Sequence, residues 1–120
     1  MAFIALLTLP LPPNLANSRL HWRAKHRKRQ AYFQQAALAL MAQPLTRYPV
    51  ADRVKLDATL YVWQFMDADN AVARLKWTID ALVQNGYLVN DDQSHLELGT
   101  VRQRIDRKQQ RVDLRLEAIG

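Results

Sequence analysis

The stretch Val54–Asp92, VKLDATLYVWQFMDADNAVARLKWTIDALVQNGYLVNDD, carries two periodicities in succession, and their order decides the fold. Val54, Leu56, Ala58, Leu60 and Val62 alternate with Lys55, Asp57, Thr59, Tyr61 and Trp63. A period of two sustained this long predicts a strand, running to about Phe65. Val72, Leu75, Ile79 and Leu82 then recur at helical spacing, which predicts a helix over Asn70–Asn85 with one face packed on a sheet. Asp69 or Asn70 suits its N-cap, and Gly86 suits the left-handed position beyond its last turn.

Working outward, Phe3–Leu9 is a short apolar run ended by prolines and reads as a buried strand. Residues Pro10 to Ser18 form a loop, because three prolines fix φ and remove donors while Asn14, Asn17 and Ser18 supply turn chemistry. A helix follows from about Lys25 to Ala42. Its rows Tyr32, Ala36, Leu40 and Phe33, Ala37, Met41 recur at spacings of four. Pro44–Pro49 links it to the central strand. Downstream come a strand at about Leu96–Ile105, a polar turn at Asp106–Gln110 and a last strand at Arg111–Ala118, where Val112, Leu114 and Leu116 alternate with charges. The order β-α-β-α-β-β predicts one α+β domain over residues 1–120, with two helices packed on a small mixed sheet.

The chain has 120 residues, enough for one core and too few for two. It has no cysteine, which excludes disulfides, thiolate zinc sites and a cysteine nucleophile. His21, His26 and His95 lack the spacing of a helical metal site. There is no nucleotide-binding glycine loop and no nucleophilic serine constellation. The start, MAFIALLTLPLPP, lacks a basic n-region and is a poor signal peptide. No run approaches the roughly 18 apolar residues of a membrane span, so the expectation is a soluble, cytoplasmic protein.

The net charge of +6 is unevenly placed. Residues 1–51 hold seven Lys or Arg and no Asp or Glu, leaving ten of the seventeen bases against all eleven acids in the remainder. Six of the seven, Arg19, Arg23, Lys25, Arg27, Lys28 and Arg29, are gathered around Trp22 and two histidines. Cations at a helix N-terminus oppose the macrodipole, and bound phosphate would relieve the conflict. These six are therefore the candidate phosphate contacts, which would position an anionic polymer without reading its sequence. The plainer reading is a solvated basic face. Trp22 is open to two readings, stacking on an exposed base or packing in a core or interface.

Against this background the acids of residues 67–92 stand out. Asp67 and Asp69 are two apart, and at a strand end that spacing turns both carboxylates to one side. Side by side they repel, unless a cation neutralises them. Mg²⁺ does this with one or two carboxylates, water and phosphate oxygen. Asp91 or Asp92, returning after the helix, would add a third. Such ions activate water for phosphodiester hydrolysis, and Lys76, nearly two turns into the predicted helix, would offer charge to the phosphate or leaving group. Each part also has a structural reading. Asp-x-Asp can be a helix cap, Lys76 and Asp80 a surface i,i+4 pair, and Asn90-Asp91-Asp92 a turn. Their combination in one span, joined to a basic arm, favours the catalytic reading.

The pattern Asp67-x-Asp69-Asn70, Lys76-x-x-x-Asp80-Ala81-Leu82, Gly86 and Asp91-Asp92 resembles the RusA-like Holliday junction resolvases, small endodeoxyribonucleases of bacteria and their prophages. The opening strand, Leu9-Pro10-Leu-Pro-Pro13 and the loop through Asn17 fit the family's start, so the resemblance covers nearly the whole chain. It implies a homodimeric α+β fold that binds four-way DNA junctions and nicks two strands symmetrically with Mg²⁺, in DNA recombination and repair. It also implies three acidic catalytic residues, falling on Asp67, Asp69 and one of Asp91 or Asp92, and a lysine, falling on Lys76. The family's lysine lies three residues after the Asn, where this chain has Ala73, which makes Arg74 a competitor. Counting from Gly86 selects Asp91, whereas matching the acidic pair selects Asp92. Rival readings are a non-catalytic nucleic-acid-binding module, a nuclease for flaps or RNA, and an interaction protein whose basic arm takes an acidic partner.

Overall fold

A computed structural model describes residues 3–14, 19, 21–44 and 49–120. The elements are β1 (Ile4–Pro10), α1 (Trp22–Met41), β2 (Val54–Val62), α2 (Ala68–Arg74), α3 (Lys76–Gln84), β3 (Leu96–Ile105) and β4 (Arg111–Ala118). The fold is the expected α+β layer: a four-stranded mixed sheet in the order β1-β4-β2-β3, with helices on one face. Residues 15–18 of the first loop and 45–48 of the Pro44–Pro49 linker lie outside the described residues.

The alternation of β2 does what it predicts. Val54, Leu56, Ala58, Leu60 and Val62 are buried without exception, while the residues between them are half-buried on the other face. β4 runs antiparallel to both β1 and β2, and its Val112, Leu114 and Leu116 face the same way. β3 runs parallel to β2, so the chain must cross over between them, and α2 and α3 are that crossover. Tyr32, Phe33, Ala36 and Leu40 of α1 and Leu75, Ala81 and Leu82 of the crossover close the core. Each fully buried leucine contributes about 1.5–3 kcal/mol of transfer free energy. Of the two apolar rows expected on α1, the Tyr32 row packs. The other packs at Phe33 but ends in Met41, which is 76% exposed.

Four expectations need correction. The strand ends at Val62 rather than Phe65, because the chain bends at Trp63 and Gln64 after Val62 O accepts Asp106 N–H at 3.0 Å. α1 starts three residues earlier than expected, with His21 as N-cap: its ring Nδ1 accepts the Arg23 N–H at 3.2 Å. The single helix at 70–85 is two. Leu75 N–H bonds to Val72 O at 3.1 Å, an i→i−3 contact that tightens the last turn of α2, and α3 starts afresh at Lys76. This break shifts the packed stripe to Ala71, Leu75, Thr78 and Leu82, and leaves Val72 43% exposed. Finally, the N-cap is Asp67, whose carbonyl accepts the first helical bond from Ala71 N–H at 3.0 Å; Asp69 sits in the first turn. Gly86 holds φ +82°, as its position beyond the helix requires. Among the described residues no helix is long and apolar enough to cross a membrane.

Candidate functional site

One buried polar joint positions the helices. Tyr32 Oη donates to Pro10 O at 2.9 Å and lies 2.8 Å from Thr78 Oγ1. The phenol has one proton, so with Pro10 taking it, the Thr78 hydroxyl must donate to Tyr32. The end of β1, α1 and α3 are thereby tied at one point. Burial pushes the Tyr32 phenol up to about 12, with the Thr78 hydrogen bond opposing the rise. A polar Thr78 inside the apolar stripe was the available sequence signal for this joint.

Above the joint opens a cleft of about 310 Å³. Pro12, Pro13 and Asn14 of the β1–α1 loop form one wall, Lys25 reaches in from α1, and Asn70, Ala73, Arg74, Lys76 and Trp77 form the other wall. Arg74 Nε donates to Pro12 O at 2.6 Å and fastens the walls together; burial lowers its guanidinium pKa from the ordinary value. Among the described residues no carboxylate pairs with Lys25 or Arg74.

Lys76 stands first in α3, not two turns into a helix, because of the break at Leu75. Its Nζ lies 2.9 Å from Asp91 Oδ2 and 3.2 Å from Asp80 Oδ1. Asp80 also holds Arg29 Nη2 at 3.5 Å, giving an alternating row Arg29, Asp80, Lys76, Asp91 across α1, α3 and the loop before β3. The hydrogen bond that Lys76 donates to Asp91, then the one it donates to Asp80, raises its ammonium above the ordinary value, and Lys76 in turn holds Asp91 below the usual carboxylate range. Lys76 is 63% exposed, so the row positions charge more than it stabilises the fold.

Asp91 and Asp92 separate clearly. Asp91 faces Lys76 at the cleft. Asp92 closes the turn into β3: its Oδ1 accepts Ser94 N–H at 3.1 Å, and its backbone carbonyl accepts the N–H groups of His95 and Leu96 at 3.1 and 2.9 Å. Asp67 and Asp69 are not at a strand end, since β2 stops five residues before Asp67. Asp67 caps α2 and Asp69 lies in its first turn, where a carboxylate suits the helix dipole. Asp69 Oδ1 accepts the N–H of cleft-lining Asn70 at 3.0 Å, and among the described residues neither aspartate has a cation partner.

The donor chemistry of these four carboxylates suits Mg²⁺, which takes oxygen ligands. Their arrangement does not fit a ready-made ion site. Among the described residues no three His, Cys, Asp or Glu side chains are grouped closely enough to hold an ion. The acids are divided between the start of α2, the Lys76 row and the turn before β3.

The six bases are likewise divided. Lys25 and Arg29 continue the buried face of α1 toward the cleft and α3, and Arg29 is taken up by Asp80 and lies 4.2 Å from the Phe33 ring centroid. Arg23, Arg27 and Lys28 are exposed elsewhere on the helix, and Arg19 is exposed ahead of it. Trp22 opens α1, solvent-exposed, with Arg23 at 5.3 Å from its ring centroid, so core packing is not its role. Sequence reasoning missed the proline wall of the cleft and the exposed Trp63 and Phe65; two aromatics at outward positions after an alternating strand were the signal.

No family model matches this chain, and no curated protein does.

Proposed function

We propose that this chain binds branched DNA and cuts its phosphodiester backbone, as a homodimeric, Mg²⁺-dependent endonuclease of the RusA-like Holliday junction resolvase kind. The observation that carries the reading is the cleft: three cations from separate elements, Lys25, Arg74 and Lys76, line one hollow with Asn70. Asp69 and Asp91 are hydrogen-bonded to two of those lining residues. Lys25 and Arg74, which meet no carboxylate among the described residues, suit phosphate oxygens, and Arg74 offers a planar fork for them. Lys76, raised above its ordinary pKa, stays cationic at neutral pH. It is therefore a fixed positive charge for the developing oxyanion, not a proton-abstracting base. Two-fold pairing of such subunits would present two clefts, as symmetric nicking needs.

A second reading is a nucleic-acid-binding module that does not cut. It is favoured by the separation of the carboxylates, which form no ion-holding group among the described residues.

One experiment decides between them. A labelled four-way junction is incubated with Mg²⁺ and wild-type protein or Asp69→Asn, beside a linear duplex of the same sequence. Paired nicks in the junction alone, lost in Asp69→Asn while binding persists, support the resolvase reading. Binding by the wild type without cutting overturns it in favour of the module. Equal cutting of linear duplex keeps the nuclease and removes the junction preference.

A further inference from the structure

A second hollow of about 340 Å³ adjoins the cleft and shares Asn14 and Arg74 with it. Its size lies at the small end of the roughly 300–1,000 Å³ typical of ligand pockets. Trp63 and Phe65 line it from the segment between β2 and α2, and they are 56% and 60% exposed.

The backbone carrying these rings is pinned on both sides. Gln103 clamps Met66 reciprocally: Gln103 Oε1 accepts Met66 N–H at 2.9 Å, and Gln103 Nε2 donates to Met66 O at 2.8 Å. Asp106 N–H bonds to Val62 O at 3.0 Å, and Arg107 Nε donates to Trp63 O at 3.2 Å. The Arg107 guanidinium also sits 5.3 Å from the Trp63 ring centroid. Two large rings held open on an anchored backbone are preorganised for a planar partner.

The rest of the lining narrows the partner's chemistry. Asn14, Gln64 and Gln110 are amides, which both donate and accept and so match the edge of a nucleobase. The lining includes no carboxylate, and its charged member is Arg74, which also faces the phosphate-suited cleft. Rings to stack on, amides for an edge and a cation shared with the cleft describe a nucleotide.

We infer that this hollow takes an unpaired base of the strand whose phosphates lie in the cleft, stacked on Trp63 and Phe65. The inference rests on the nucleic-acid reading of the cleft but not on cleavage. A duplex base, stacked on both faces, cannot reach the rings; a base released at a branch can.

The test uses the full chain and two single-stranded oligonucleotides of equal length, one of thymidines and one abasic, with equal phosphate charge. The wild type is expected to bind the thymidine strand about tenfold more tightly, within the range for one base stacked on an aromatic ring. Trp63→Ala should abolish that preference, Trp63→Phe should keep most of it, and circular dichroism should show all variants folded. Lys25→Ala should weaken both strands equally. For Trp63→Ala the slope of log K against log salt concentration should stay unchanged, because no phosphate contact is lost. Equal wild-type affinity for the two strands overturns the inference, as does absence of binding to either. It is also overturned if Trp63→Ala splits a dimer in sedimentation velocity while the base preference survives, which would assign the rings to a subunit interface. Failure of the wild type to cut junctions would overturn only the nuclease reading, since this assay measures binding alone.

Discussion

The open face of the sheet and the corner between α1 and the crossover helices are both rich in charge, but only the corner leaves charges of both signs unpaired around a cleft. On the open face the acids and bases of β2, β4 and the turn before β4 alternate and pair, while Arg102 and Arg104 of β3 stand outside these pairs. Arg115 lies 3.8 Å from Asp57 and 3.2 Å from Glu117, and Arg111 lies 3.0 Å from Asp106 and 3.7 Å from Asp113. Thr8 Oγ1 adds a hydrogen bond to Asp113 at 2.8 Å. At the corner the row Arg29, Asp80, Lys76, Asp91 is paired in the same way, but Lys25 and Arg74 meet no carboxylate among the described residues, and Asp67 and Asp69 meet no cation. Interleaved charge is already neutralised by its neighbours. Segregated charge is left for a ligand to neutralise, and that places the search for function at the corner.

The largest contrast should appear in catalysis. Under the nuclease proposal, Lys76→Ala removes a fixed charge from the developing oxyanion and should slow single-turnover junction cleavage by about 10²-fold or more. Arg115→Ala, on the open face, should leave the rate within about twofold, since an exposed ion pair contributes little. Equal losses in the two variants would erase the distinction between the regions.

Next in size is the joint beneath the corner. Tyr32→Phe removes the bond to Pro10 O and deprives the buried Thr78 hydroxyl of its acceptor. The expected cost is about 1–3 kcal/mol, read as a lower urea midpoint at unchanged m. The matching change at the sheet is Gly99→Ala, whose added Cβ would collide with the Asp57 carboxylate and crowd Lys55 Cε at 2.9 Å. Asp57 would have to release Thr100 N–H, now held at 2.7 Å, at a cost of about 1 kcal/mol. A tyrosine titration should agree with the first half: Tyr32 should resist ionisation until near pH 12 and lose that absorbance change in Tyr32→Phe.

What was legible in the chain follows the same division. The strands could be read because alternation is local and unambiguous: β2, β3 and β4 begin at their expected residues. The charge asymmetry that marks the corner is equally plain in the order of residues. The break at Leu75 was not legible, because neither Gly nor Pro marks it. It accompanies a tertiary bond, Thr78 to Tyr32, between residues 46 apart in sequence. Through that break the position of Lys76 and the exposure of Val72 escaped a reading that assumed one continuous helix; the placement of Asp67 and Asp69 escaped it because β2 stops at Val62. Spacing alone also could not separate the surroundings of Asp91 and Asp92: Asp91 pairs with Lys76, and Asp92 closes the turn into β3.

Salt dependence sharpens the comparison at smaller amplitude. If Lys25 contacts a phosphate, Lys25→Ala should lower the slope of log K against log salt concentration by about one. Arg115→Ala should not change it. Equal shifts would mean that the open face also carries DNA.

The smallest effect concerns how each region holds a carboxylate down. Asp91 is kept below the usual range chiefly by the Lys76 side chain, through its hydrogen bond and then its charge. Asp106 is kept low first by the Gln109 backbone N–H, then by Arg111 and the Lys108 N–H. In a carbon-13 titration, Lys76→Ala should therefore return Asp91 to the ordinary carboxylate range, whereas Arg111→Ala should leave Asp106 still depressed. The signs are fixed. A lowered carboxylate contributes stability that is present above its unfolded pKa and lost as pH falls through the lowered value. The raised Lys76 contributes stability present below its unfolded pKa and lost as pH rises through the raised value. The Lys76–Asp91 pair thus persists from the acid side of the ordinary carboxylate range to the alkaline side of the ordinary lysine range. Across neutral pH its charge state is constant, so any change in cleavage there must come from another group. A cleavage profile between pH 6 and 9 whose shape altered with Lys76→Ala would contradict that fixed-charge role.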